Sequence, residues 1–231
     1  MRSVRLGSGS AYWGDLMEPA VELAQRGELD YLCFDHLAEL TLSILQRQRA
    51  KDPTRGYIAD IVPWMEAILP VARANGTRLV TNAGGANPAA AGERVLDIAR
   101  RNDLAGTRVA VVTGDDVHET MLRLHDDGLA FPNMDTGEED LGRIRDRIVA
   151  ANAYIGAEGI VEGLAGGAHV VVTGRASDNA LYVGPLMHEF GWTYDDVERM
   201  GAAVTIGHVL ECAALASGSL SNFWREAKPL S

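Results

Sequence analysis

Arg175 is the side chain of this sequence best suited to grip an anion. It lies in TGRASDNA (173–180), directly after a β-branched apolar run. A guanidinium offers a planar fork of donors that matches a carboxylate or a phosphate. Ser177 or Asp178 can cap the helix that follows. Gly174, Arg175, Ser177 and Asp178 are therefore candidate substrate-binding residues. The competing reading is an Arg175–Asp178 ion pair that only supports the loop.

Two glycine-rich segments extend the set. GSGSAYWGD (7–15) joins a short strand to a helix, and its glycines would let backbone N–H groups approach an anion at a helix N-terminus. Gly7, Ser8, Gly9 and Ser10 are candidates there, against a plain strand-to-helix turn. The spacing fits neither a dinucleotide fingerprint nor a Walker loop. TNAGGANP (81–88) brings two amides that suit a carbonyl or carboxylate ligand, so Asn82, Gly84, Gly85 and Asn87 join the list. Asn-Ala-Gly also occurs in short-chain dehydrogenases. Their glycine motif and Tyr-x-x-x-Lys pair are absent, since Tyr154 is followed by Ile-Gly-Ala-Glu, and no nicotinamide cofactor is expected.

Proton transfer has three candidate sources. Asp35, His36 and Glu39 follow a strand, and Glu39 sits three residues beyond His36, where a carboxylate could orient an imidazole on one helical face. Asp115 and Asp116 end another strand; neighbours there point to opposite faces, so at most one serves a given pocket. His36, Glu39 and Asp115 are the catalytic candidates, against helix capping and exposed pairing. His208, Glu211 and Cys212 could converge on one helix, but a zinc site usually takes three or four protein ligands. No Cys-x-x-Cys or His-Glu-x-x-His occurs, so no metal ligands are assigned, and a His208–Glu211 core pair is the simpler alternative. Without Gly-x-Ser-x-Gly, serine-hydrolase chemistry is disfavoured.

The elements that must position these groups are strands near 4–6, 29–34, 77–81, 107–113 and 168–173. Helices are expected near 16–26, 37–50, 58–74, 89–101, 117–126, 138–151, 156–165, 178–190 and 194–217. Strand–helix alternation predicts one α/β domain over 1–231, a mostly parallel sheet of about five or more strands with helices on both faces. The echoing runs VAVVTGDD (109–116) and HVVVTGRASD (169–178) both suit fully buried strands. In open α/β sheets ligands bind outside the carboxyl ends of strands, where these loops lie.

The net charge of −11 and pI near 5.0 argue against nucleic acid or an anionic membrane surface as partner. Two cysteines, Cys33 and Cys212, make no disulfide framework, and the polar start lacks the roughly 7–15 apolar residues of a signal peptide. No apolar run nears the roughly 20 residues of a membrane span. A cytoplasmic location is expected.

In this order the segments GSGSAYWGD, TNAGGANP, VAVVTGDD, NMDTGE (133–138), the long run 151–192 and GHVLECAALASG (207–218) resemble the acyclic terpene utilisation, or AtuA-type, family. The resemblance implies bacterial and fungal cytoplasmic proteins linked to degradation of acyclic terpenes and related branched acids, often as coenzyme A thioesters, and so gives a pathway more readily than a mechanism. It carries over as loops only: 7–15, 82–87, 114–116 and 174–178. Family members usually continue past the Gly-His-x-x-Glu-Cys segment, so a missing C-terminal part, or a second polypeptide supplying it, is expected.

Two functions follow. One is lyase- or hydratase-like chemistry on a small branched carboxylate or its thioester, with Arg175 and the loops as clamp and His36 or Asp115 moving a proton. The other is a non-catalytic acyl-thioester-binding subunit that completes a split enzyme. A coenzyme A thioester would be substrate, and a homo-oligomer stays open.

Overall fold

Five parallel strands form one sheet in the computed structural model, which describes residues 3–212. They are β1 (Leu6–Ser10), β2 (Tyr31–Phe34), β3 (Arg78–Thr81), β4 (Val109–Val112) and β5 (Val170–Thr173), in the order β1-β2-β3-β5-β4. The helices are α1 (Met17–Arg26), α2 (Glu39–Lys51), α3 (Ile61–Asn75), α4 (Pro88–Arg101), α5 (His118–Asp126), α6 (Glu158–Ala165), α7 (Ala180–Phe190) and α8 (Val197–Glu211). This is the expected α/β architecture.

The chain steps from β1 to β3, skips a place to edge strand β4, and returns to insert β5. Right-handed crossovers send the helices of a reversed step to the other face. Accordingly α1, α3 and α4 pack on one face and α6, α7 and α8 on the other. The period-2 alternation of β2 feeds both cores: Leu32 and Phe34 enter the first, Tyr31 and Cys33 the second. Full burial of such side chains stabilises by about 2 kcal/mol each. Local signals set the helix ends. Gly76 closes α3 in the left-handed conformation, φ 74°, and the Asn87 side chain accepts the Ala90 N–H to open α4 with Pro88 in its first turn.

Three expectations are corrected. Gly7–Ser10 is strand, not loop. A Cβ on Gly9 would lie 2.2 Å from the Phe34 ring, and one on Gly7 2.5 Å from Leu29, so these glycines admit neighbouring side chains. The two Val-rich runs pair side by side, Val109 with Val170 through Val112 with Thr173. Only β5 is fully buried; β4 has a neighbour on one side alone and leaves Val111 exposed. Residues 138–151 hold two single 3-10 turns, Leu141–Arg143 and Arg145–Arg147, because their mixed charges supply no apolar stripe to bury. The helix expected at 194–217 is observed as Val197–Glu211, with Asp196 and Cys212 as its caps; residues 213–217 lie outside the described residues. Among the described residues no helix is long and apolar enough to cross a membrane.

Candidate functional site

The loops after β3 and β5 diverge, one to α4 and the other to α7 on the opposite face. Such a divergence opens a crevice at the carboxyl edge. Asn82 and Arg175 stand on its two sides, and Asp35 enters from the end of β2. The loops approach closely: a Cβ on Gly84 would lie 2.4 Å from the Thr173 carbonyl oxygen.

Asn82 organises the β2 end. Its Nδ2 donates to Asp35 Oδ1 at 2.6 Å, and its Oδ1 accepts the His36 N–H at 2.8 Å. The Leu37 N–H also donates to Asp35 Oδ1, at 3.1 Å. Asp35 is 3% exposed. Burial, followed at a distance by the nearby Asp178 charge, pushes its carboxyl from 3.8 up to about 7, against the lowering effect of Asn82, the Leu37 N–H and Arg175. Desolvation prevails because a carboxylate loses more on leaving water than two donors return.

Arg175 is 2% exposed. Its backbone N–H donates to Asp115 Oδ2 at 2.8 Å and Nη1 donates to the Leu37 carbonyl at 2.7 Å, while Nη2 bonds Asp178. The guanidinium carbon lies 4.1 Å from the centre of the Tyr154 ring. Nε is buried without a hydrogen-bond partner among the described residues. Of the two sequence readings of Arg175, the ion pair with Asp178 is observed, and one donor of the guanidinium is left over. Glu211 reaches the same place from α8, and one oxygen each of Asp35, Asp178 and Glu211 lie within 4.8 Å of one another. Oxygen-only donors at this spacing suit a hard cation. The Arg175 guanidinium already opposes these charges, and nothing else about the cluster points to a metal.

Several sequence candidates are committed elsewhere. His36 continues the Leu32–Phe34 face of β2 and packs among aromatic rings, edge-on to Trp64 at 5.3 Å. Full burial lowers its pKa to about 4, and the Tyr12 carbonyl accepts from its ring. Glu39 is exposed and takes the Tyr154 hydroxyl, so the expected His36–Glu39 relay does not form. Asp115 anchors the β5 loop, accepting from Asn152 Nδ2 at 3.0 Å as well as from Arg175. Gly174 leaves room for that carboxylate, since a Cβ there would lie 2.3 Å from Asp115 Oδ1. Asn87 caps α4 and donates to the Pro53 and Arg55 carbonyls. Gly85 takes φ 53° where the loop passes Leu45. Ser8 accepts from Tyr182, Ser10 donates to the Asp35 carbonyl, and Ser177 bonds Asn179. His208 is an exposed side chain 3.7 Å from Glu211, so the two form no core pair.

Beside the crevice a pocket of about 240 Å³ lies between α2 and the segment 150–154, lined by Glu39, Leu42, Ser43, Asn152, Tyr154 and Arg175 together with Ala150. A larger cleft, about 490 Å³, includes Arg100, Leu104 and Thr107; it precedes β4, on the amino edge of the sheet, away from this chemistry. Sequence reasoning passed over Asn152, gave Tyr154 no role, grouped Glu211 only with His208 and Cys212 and not with Asp35 and Asp178, and named Asp35 without making it the proton carrier. Strand alternation separates the last from its neighbour: Asp35 continues the Tyr31–Cys33 side, and His36 the Leu32–Phe34 side.

No curated protein and no solved structure matches this chain. The model of a family described as acyclic terpene utilisation family protein AtuA matches residues 4–231. With nearly the whole sequence covered, and a parallel α/β sheet beneath it, the chain belongs to the AtuA family, which is tied to the use of acyclic terpenes.

Proposed function

We propose that the carboxyl edge of the sheet binds a small branched carboxylate or its coenzyme A thioester and performs lyase- or hydratase-type chemistry in acyclic terpene or branched-acid catabolism. Asp35 carries the proposal: a buried carboxyl with a pKa of about 7 is populated as both acid and base near neutrality, which is what proton transfer to and from carbon asks of a group. Arg175 opposes the developing negative charge on the acyl oxygen. In the hydration direction, Asp35 gives its proton to the α carbon of an α,β-unsaturated acyl group. Water bonds to the β carbon through its oxygen, and the water proton passes to Asp178. Oxygens of the two carboxylates lie within 4.8 Å of one another, so the proton returns to Asp35 through one water; elimination is the reverse. In this proposal Asp35 takes the role first given to His36, and Asp115 is a loop anchor.

The test is incubation with unsaturated branched acyl thioesters in ¹⁸O-labelled water, read by mass spectrometry. Label should enter the product, and Asp35→Asn should lower turnover by about a hundredfold or more. Unchanged turnover in Arg175→Ala would sink the proposed clamp. A second reading, a non-catalytic acyl-thioester-binding subunit completed by another polypeptide, is favoured by α8, whose Val197, Val204, Ile206 and Val209 are exposed. Apolar faces of this kind mark association surfaces. Activity that requires a stoichiometric partner supports it; turnover by the isolated chain removes it.

A further inference from the structure

We infer that the pocket between α2 and the segment 150–154 is a length-selective subsite for a short aliphatic acyl chain whose carboxyl end is held by Arg175. The inference rests on the carboxylate-binding role proposed above and adds the size class of the ligand. Three observations carry it. Arg175 lines the pocket, is almost completely buried, and keeps Nε unpartnered among the described residues while its other two nitrogens are engaged. A buried donor without an acceptor is costly to maintain, and an anionic ligand relieves it. The pocket walls are apolar where a chain would lie, at Leu42, Ala150 and the Tyr154 ring. The volume, about 240 Å³, is below the range of about 300–1,000 Å³ for drug-sized ligands. At about 30 Å³ per heavy atom, taken from water's share of liquid volume, it accepts about eight heavy atoms. That is the size of a carboxylate with about five or six carbons.

The segment 150–154 is the wall that faces α2. Asn152 pins it through Asp115 and through a bridge to Asp116, and the half-exposed Tyr154 stacks on the guanidinium and donates its hydroxyl to Glu39 at the surface. Its ring must tilt for a carboxylate to reach Nε.

Isothermal titration of the whole chain with acetate, butanoate, hexanoate and decanoate tests the subsite without any need for turnover. Affinity should rise about fourfold per added methylene up to hexanoate, following the burial free energy of a CH₂ group, and gain nothing further at decanoate. Ala150→Phe should bring hexanoate down to the affinity of acetate and leave acetate unchanged. Ser43→Phe, on the α2 side, should do the same and serves if the first variant fails to fold by thermal melting. Carboxylates that bind without length dependence, or hexanoate binding that survives a filled pocket, overturn the subsite while leaving the carboxylate role intact. Failure of a folded wild-type chain to bind any of the four overturns both.

Discussion

Asp35 and His36 are adjacent, both buried, and perturbed in opposite directions: the carboxyl rises from 3.8 to about 7, and the imidazole falls from 6.5 to about 4. At a pH between these limits the folded pair is neutral, whereas the unfolded pair is carboxylate and imidazolium. Folding then moves no net proton, and the two slopes cancel. The raised Asp35 contributes stability that is full below pH 3.8 and is lost as pH rises to about 7. The depressed His36 contributes stability that is present above pH 6.5 and is lost as pH falls to about 4. Each replacement unmasks the other residue. At 1.36 kcal/mol per pH unit, Asp35→Asn should gain on the order of 4 kcal/mol over wild type from pH 4 to 7. His36→Asn should lose on the order of 3 kcal/mol relative to wild type from pH 4 to 6.5. For a chain of this length, roughly 2–4 °C per kcal/mol turns these into Tm differences of roughly 6–16 °C with opposite signs. Calorimetry of both variants and wild type from about pH 4 to 7 reads the slopes directly. Lost packing of the imidazole against Trp64 lowers the whole His36→Asn curve but leaves its slope intact. Flat difference curves, or curves of one sign, would refute the opposed burial of the two groups, and with it the role proposed for Asp35.

Arg175→Gln removes the cation from a half-exposed Asp178 and the stacking on Tyr154; urea melts should show a loss of about 2 kcal/mol, below the full cost for a wholly buried pair. Gly174→Ala drives a methyl into the Asp115 carboxylate and breaks its bond to the Arg175 N–H, for a loss of about 1–3 kcal/mol by the same assay. Gly201→Ala is the contrasting case: on α8 the added Cβ meets nothing within 4 Å, and stability should rise by about 0.5–1 kcal/mol.

How much of this was legible in sequence depended on the range of the physics involved. The parallel sheet and the helices flanking it follow from patterns within a few residues, and so does the placing of Asn82 and Arg175 at strand ends. Strand order does not: VAVV and VVVT read alike, and only the return of the chain to insert β5 leaves β4 at the edge. The glycines of GSGS advertise a loop, yet their use is to admit Phe34 and Leu29 from elsewhere in the chain. The exchange between Asp35 and His36 was readable only in part. Alternation along YLCFDH sends the histidine to the Leu32–Phe34 face and the aspartate to the Tyr31–Cys33 face, but both faces are buried. What separates the two is their surroundings, aromatic rings around His36 and the Asn82 amide on Asp35, which come from elsewhere in the chain. The convergence of Glu211 and Tyr154 on Arg175 had no local signature at all. It is a product of tertiary placement, in which α8 and the 150–155 segment fold back over a strand edge whose own residues already held both the acid and the cation.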